Sequence, residues 1–178
     1  MLKILPNSIA YSWQISESEK SQVFACDEFL SNPDDVLFRG ISINASPERV
    51  FLWLCQLRVA PYSYDWIDNK GKPSPKTLNP KLRDLSIGQT FIIFELAQFK
   101  DAEHITLVTN DIQIESFFGK IAMTYLVQER DDGSSKLLVK ILVKRSSHKL
   151  IAALLPWGDW IMMRKQLLNI KELAEQPI

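Results

Sequence analysis

The second half of this sequence consists of short segments that alternate apolar and polar residues, followed by one long segment with helical periodicity. The alternation is clearest in residues 135–145, where it predicts a strand with one face on a core. The apolar positions of that strand are Leu137, Val139, Ile141 and Val143. Residues 160–174 instead repeat apolar side chains every three or four positions, which predicts an amphipathic helix. Such a chain has to pack one long helix against a sheet.

The other strands and the first helix are predicted from similar local signals. Strand-like patterns occur in residues 36–45, 89–99, 104–109, 112–118 and 121–130. Asp131-Asp132-Gly133-Ser134 predicts a hairpin turn before the last strand. Ser46, Pro47 and Glu48 have the order of a helix start, with a capping residue, a proline at the first position and then an acid.

A few charged residues and one proline stand out from these patterns. Arg39 is the exception on the apolar face of the first strand. Pro156 predicts a kink, because a proline ring clashes with the carbonyl four residues earlier, and Asp159 is expected to cap the restarted helix. Near the N-terminus, Ser16 or Ser18 is expected to cap a helix that ends before Pro33. The predicted fold class is α+β, with one domain over residues 1–178 and residues 1–35 as an N-terminal extension.

The charge balance and the scarcity of Cys and His argue against several kinds of partner. Lys plus Arg and Asp plus Glu each total 21, so the chain lacks the basic excess of a nucleic-acid-binding protein. The lysines of residues 135–145 are interpreted as a solvated strand face. Two cysteines, Cys26 and Cys55, and two histidines, His104 and His148, are too few for a structural zinc site, and no metal or cofactor is predicted. Cys55 is expected to be a small buried hydrophobe.

The sequence carries no signal for secretion or for membrane insertion. The apolar stretch at the start is too short for a signal peptide. The longest apolar run, residues 150–163, is interrupted by Pro156, Gly158 and Asp159 and is shorter than the roughly 20 residues that a span needs. We therefore expect a cytoplasmic protein without stable membrane insertion.

Residues 53–69 concentrate aromatic and charged side chains between the first helix and the later strands. A surface loop rarely exposes so many aromatic rings, because each exposed ring forgoes a large burial gain. The segment is therefore expected to fold over the core or over a cavity. Asp65 and Asp68 are expected to pair with Arg58 and so to order the segment.

Two stretches of this sequence resemble a known family. The order of elements resembles the helix-grip fold of the START/Bet v 1-like (SRPBCC) superfamily, in which a curved antiparallel sheet wraps around a long C-terminal helix. The C-terminal block is similar to that of one uncharacterised bacterial subfamily of polyketide cyclase/dehydrase-like proteins. The matching stretches are Gln56-Leu57-Arg58, Tyr62-Ser63-Tyr64-Asp65-Trp66-Ile67-Asp68-Asn69, Ser74-Pro75, Leu85 with Gly88, and Leu155-Pro156-Trp157-Gly158-Asp159-Trp160-Ile161-Met162-Met163-Arg164-Lys165-Gln166-Leu167-Leu168.

The resemblance implies a large apolar cavity between the sheet and the C-terminal helix. Members of the superfamily bind lipids, sterols, polyketides, quinones or plant hormones, and a minority catalyse cyclisation or dehydration. The expected function is therefore binding of a hydrophobic small molecule without catalysis. The residues expected to line the site share aromatic, sulfur-containing or polar side chains: Arg58, Tyr62, Tyr64, Asp65, Trp66, Tyr125, Trp157, Trp160 and Met163.

Two other functions are compatible with the sequence. One is an enzyme of the cyclase/dehydrase type, with Glu95 or Asp65 as the acid–base group, because a carboxyl buried among apolar residues has a raised pKa. The other is a membrane- or protein-interaction module that uses the basic strand face beside the apolar residues 150–160. The sequence contains no motif of a nucleophile, base and orienting residue, which favours binding over catalysis.

Overall fold

The computed structural model describes residues 8–69 and 71–177. Its strands are β1 (Ser12–Trp13), β2 (Asp35–Ile43), β3 (Thr90–Phe91), β4 (Phe94–Lys100), β5 (His104–Val108), β6 (Lys120–Glu129) and β7 (Ser135–Lys144), and its helices are α1 (Glu17–Lys20), α2 (Pro47–Cys55), α3 (Asp65–Asp68), α4 (Ile112–Phe118) and α5 (Lys149–Ala174). The strands form one sheet in the order β1-β2-β7-β6-β5-β4-β3. The sheet is mixed, because β1 runs parallel to β2 while the other neighbours are antiparallel.

The long helix α5 and the helix α2 cover one face of the sheet, which we call the inner face. Residues at alternate positions of β2, β6 and β7 lie in this core, together with Met163, Leu167 and Ile170 of α5. Complete burial of each such aliphatic side chain stabilises the fold by about 1.5–3 kcal/mol. The α+β class predicted from the sequence is confirmed, and a sheet with a long C-terminal helix packed against it is the arrangement of a helix-grip fold.

Helix α5 continues without interruption through Pro156. The expectation that Asp159 caps a restarted helix is therefore wrong. Pro156 is buried, and Ala152, one turn earlier, is buried as well. Packing on the inner face before and after the proline offsets the helix bond that its ring removes.

Residues 112–118 form the helix α4, although their alternating pattern predicts a strand. The Asp111 carboxylate caps this helix by accepting hydrogen bonds from the backbone nitrogens of Gln113 and Ile114, at 2.8 and 3.1 Å. Gly119, at φ 93°, ends it. The predicted strand 89–99 is also divided, because Ile92 has φ 60° and separates β3 from β4.

Residues 14–34, which follow β1 and which we call the N-terminal segment, pack on the outer face of the sheet. Ser16 caps α1, as the sequence predicts, and Glu19 completes a capping box with it. The helix ends at Lys20, well before Pro33. Further along this segment, Phe24, Cys26 and Leu30 pack on Ala122, Leu138 and Leu142.

Of the lysines of β7, Lys136 and Lys140 are largely covered, whereas Lys144 is exposed as the sequence suggests. Lys140 lies 2.6 Å from Asp27, Lys136 lies 3.6 Å from Glu19, and Lys144 lies 3.1 Å from Asp34. These three acids lie in or at the end of the N-terminal segment, so the basic strand face is neutralised by acids from the segment that covers it.

Both cysteines are buried and free, as expected for Cys55. Burial raises the pKa of the Cys26 thiol to about 11 and that of Cys55 to about 12. We expect neither thiol to react readily with Ellman's reagent in the folded protein, even near about pH 9, because little thiolate exists there. Both should react once urea unfolds the chain. Rapid reaction of one thiol in the absence of urea, followed by absorbance, would contradict this expectation.

Candidate ligand-binding site

Two polar side chains lie in one row across the inner face of the sheet. Arg39 of β2 and Tyr125 of β6 are each aligned with Val139 of the strand between them. Above this row, α5 places Asp159, Met163 and Gln166, which are four and three residues apart and therefore lie on the same side of the helix. The space between the sheet and α5 thus contains several polar groups among apolar ones.

Arg39 and Asp159 form an ion pair inside this space. Arg39 Nη2 lies 2.6 Å from Asp159 Oδ2, and the arginine side chain is completely inaccessible to solvent. Arg39 also donates to the backbone carbonyls of Ala10, at 2.7 Å, and Phe38, at 2.9 Å. Burial raises the pKa of Asp159 above its ordinary value, although the positive charge of Arg39 acts in the opposite direction.

Tyr125 begins a short chain of hydrogen bonds that ends at the segment after α2. Its hydroxyl donates to Gln166 Oε1 at 2.7 Å, and Gln166 Nε2 donates to the carbonyl of Pro61 at 2.7 Å. The same hydroxyl lies 3.5 Å from Met163 Sδ. Burial raises the pKa of Tyr125, and the negative charge of Asp159 raises it further. The hydroxyl of Tyr125 and the carboxylate of Asp159 therefore influence each other electrostatically.

Some buried donors of this region have no acceptor. Within residues 8–69 and 71–177, Arg39 Nε, Trp53 Nε1 and Trp160 Nε1 are buried atoms without a hydrogen-bond partner. Each such donor costs about 1–3 kcal/mol relative to a satisfied one. An acceptor supplied from outside the chain would remove that cost.

The aromatic segment that follows α2 closes one side of this space. Tyr62 is buried with φ 55°, and its hydroxyl accepts a hydrogen bond of 2.6 Å from Gln56 Nε2. Its ring meets that of Trp53 edge-on at 5.7 Å between centroids. Tyr64 is half-buried and Trp66 is 75% exposed. The segment thus folds partly over the core, as its composition suggests, while its last aromatic ring faces solvent.

The predicted pairing of Arg58 with Asp65 is wrong. Asp65 accepts hydrogen bonds from the backbone nitrogen of Ser74, at 2.8 Å, and from its hydroxyl, at 2.5 Å. Arg58 Nη1 instead donates to the carbonyl of Asp84 and to Gln89. Both residues therefore order the long connection between α2 and β3. The side chain of Asp68 lies outside the described residues.

Glu95 lies at a surface pocket of about 220 Å³ between the β3–β4 turn and α4. Its carboxylate accepts a hydrogen bond of 2.5 Å from Asn110 Nδ2. Ile93 and Ile114 also line this pocket. The remaining predicted site residues are divided between interior and surface: Tyr125 and Met163 are buried, Trp160 is half-buried, and Trp157 is 40% exposed.

Only weak sequence signals mark the polar residues that the fold brings together. Arg39 is conspicuous in the sequence as a charge on an apolar strand face, and Asp159 as an acid between two tryptophans. Gln166 carries no signal of its own. Its position on the buried side of α5 follows only from the helix phase, three residues after Met163.

Neither a cluster of metal ligands nor a membrane-spanning helix is found in the described part of the chain. No group of three or more His, Cys, Asp or Glu within it is arranged to hold a metal ion. None of its helices combines the length and the apolar composition needed to cross a membrane. The described structure is that of an α+β protein. Its C-terminal helix packs over the Arg39–Asp159 ion pair and over the hydrogen-bonded Tyr125.

Comparison with solved structures supports the fold. No family model matches the chain, and no curated protein sequence matches it. The crystal structure of protein CV1439 from Chromobacterium violaceum is similar, with 14% identity, a TM-score of 0.53, and coverage of 80% of this chain and 98% of that one. A putative uncharacterized protein from Bacillus thuringiensis has 16% identity and a TM-score of 0.51, with coverage of 79% and 99%. At such low identity the likeness shows the fold alone.

Proposed function

We propose that this protein binds a hydrophobic small molecule, such as a lipid, polyketide or quinone, between the inner face of the sheet and α5. The observation that carries the proposal is the presence of two buried donors without a partner, Arg39 Nε and Trp160 Nε1, in an interior whose other side chains are mostly apolar. Ligand sites are mostly apolar with a few placed polar groups. A ligand oxygen accepting from either donor would satisfy a group that the chain leaves without a partner.

Binding requires the interior to open, because side chains occupy this space in the structure. Tyr125, Met163 and Gln166 fill the space between β6 and α5. The segment after α2 is joined to α5 by the bond from Gln166 to Pro61 and by one of 2.9 Å from Asn169 Nδ2 to the carbonyl of Tyr62. Rupture of these two bonds would release that segment from the helix.

The proposal predicts stoichiometric binding of an apolar probe. We expect the solvatochromic dye N-phenyl-1-naphthylamine to bind one site per chain, and native mass spectrometry to detect a copurified apolar molecule displaced by the dye. Trp160→Phe keeps most of the ring volume but removes the indole donor. If the copurified molecule accepts from that donor, its affinity should fall roughly fivefold, which corresponds to about 1 kcal/mol for a hydrogen bond.

Trp66→Phe is the matched control, because Trp66 is exposed and removal of its indole nitrogen leaves the interior unchanged. We expect this variant to bind as the unchanged protein does. Absence of both a copurified molecule and saturable dye binding would refute the proposal. No described contact brings Glu95 or Asp65 into this interior, so the proposal assigns them no catalytic role.

A further inference from the structure

The first half of α5 is apolar on two opposite sides, and only one of them is covered. Pro156 and Met163 face the sheet. On the other side, residues four, three and four positions apart form a stripe that is left exposed. These residues are Leu150, Leu154, Trp157 and Ile161, with exposed fractions of 73, 58, 40 and 47%. At about 100° per residue the stripe spans roughly 60° of the helix and lies nearly opposite the buried side.

Helix α4 extends this apolar surface. Ile112, Phe117 and Phe118 are all exposed. The Phe117 ring lies 5.7 Å from that of His148, immediately before α5, and Ser146 Oγ donates to the Phe117 carbonyl at 2.8 Å. The exposed side chains of α4 and the start of α5 are therefore neighbours, and together they form what we call the α4–α5 surface. Neighbouring exposed apolar side chains of this kind are typical of an interaction site.

The charges around this surface are basic. Lys120, Lys149, Arg164 and Lys165 take part in no ion pair with the described residues. Along α5, the only acid before Glu172 is Asp159, which faces Arg39 on the covered side. On α4, Glu115 is half-buried and accepts from Thr109 Oγ1 at 3.1 Å. The exposed acid Asp111 caps α4 beside Ile112, and its carboxylate accepts from the backbone nitrogens of Gln113 and Ile114. The unpaired cations therefore outnumber the exposed acids at this surface. The occupant of the surface should therefore be apolar with an anionic boundary.

We propose that the α4–α5 surface docks on an anionic lipid bilayer, with the first half of α5 lying in the interfacial plane. A helix with an apolar stripe that includes a tryptophan, and with cations beside the stripe, has the composition of interfacial helices. Anionic headgroups attract such cations. A second copy of the chain fits less well, because two copies packed through this surface would bring the unpaired cations of one copy towards those of the other.

Vesicle cosedimentation of the full chain tests this proposal. We expect binding at low salt to vesicles of phosphatidylcholine with one quarter phosphatidylglycerol, and weak binding to phosphatidylcholine alone or at high salt. The double variant Leu154→Ser/Trp157→Ser should lose binding, and Lys149→Gln/Arg164→Gln should weaken it roughly tenfold. Trp157 should be quenched by brominated lipid in the unchanged protein, and the quenching should disappear in Trp157→Phe.

Val23→Ser is the matched control, because Val23 is 88% exposed in the N-terminal segment, which covers the outer face of the sheet. Its vesicle binding should be unchanged. All substituted side chains are exposed, and circular dichroism of each variant should match that of the unchanged protein. Lack of binding to anionic vesicles at low salt would overturn the proposal. A second outcome would also overturn it. In that outcome, sedimentation shows that the unchanged protein is a dimer and that Leu154→Ser/Trp157→Ser is a monomer, while neither protein binds vesicles. Dye binding to the interior is independent of these outcomes.

Discussion

Arg39→Met is expected to lower the free energy of unfolding by about 3–5 kcal/mol, because it leaves the Asp159 carboxylate buried without its cation. The effect should depend on pH in a defined direction. The pKa of Asp159 is raised in the folded state, so its contribution favours folding below the ordinary carboxyl pKa and is lost as the pH rises through the raised value. The variant should therefore lose least stability in acid and most near neutral pH.

Urea denaturation at several pH values measures this effect, and two further variants make it specific. Arg39→Met/Asp159→Leu should recover most of the loss, because an apolar pair can replace a buried ion pair at little cost. Arg83→Met removes an exposed ion pair with Asp101 and should cost less than about 1 kcal/mol. Equal losses at acid and neutral pH, or strictly additive losses in the double variant, would show that the pair is not coupled.

The sequence predicted those elements whose signals are local. The start of α2 is marked by Ser46 and Pro47, and the turn between β6 and β7 contains Gly133 at φ 76°. Helix α4 escaped prediction because Ile112 and Ile114 fit a strand as well as a helix. The Asp111 cap favours the helix over the strand. A single capping residue before so short a segment is a weak signal in the sequence.

The candidate site was predicted less completely, because its contacts join distant parts of the chain. Arg39 is recognisable as an unusual charge, but its partner Asp159 lies 120 residues further on. Asp159 was expected to be a cap because Pro156 predicts a break that packing prevents. The aromatic residues were easier to find than to orient. Trp157 and Trp160 are three residues apart and in contact, yet Trp157 is exposed and Trp160 is half-buried.

The N-terminal segment is expected to contribute much of the stability of the sheet, and Phe24→Ala should show this. Phe24 is 1% exposed, and its ring contacts Phe38 edge-on at 6.2 Å. The ammonium of Lys140 lies 5.5 Å from the ring centroid. Removal of a buried phenyl ring should lower the free energy of unfolding by about 3–5 kcal/mol, since the space it leaves cannot fully collapse. Urea denaturation measures the change.

The neighbouring residue provides the control for this prediction. Val23 is exposed, so Val23→Ser should change the free energy of unfolding by less than about 0.5 kcal/mol. If Phe24→Ala had an equally small effect, the segment would not be docked on the outer face. The lysines of β7 would then be solvated, and their neutralisation by Glu19, Asp27 and Asp34 would be lost. The stability of Phe24→Ala therefore also decides whether that basic face is available to anionic partners.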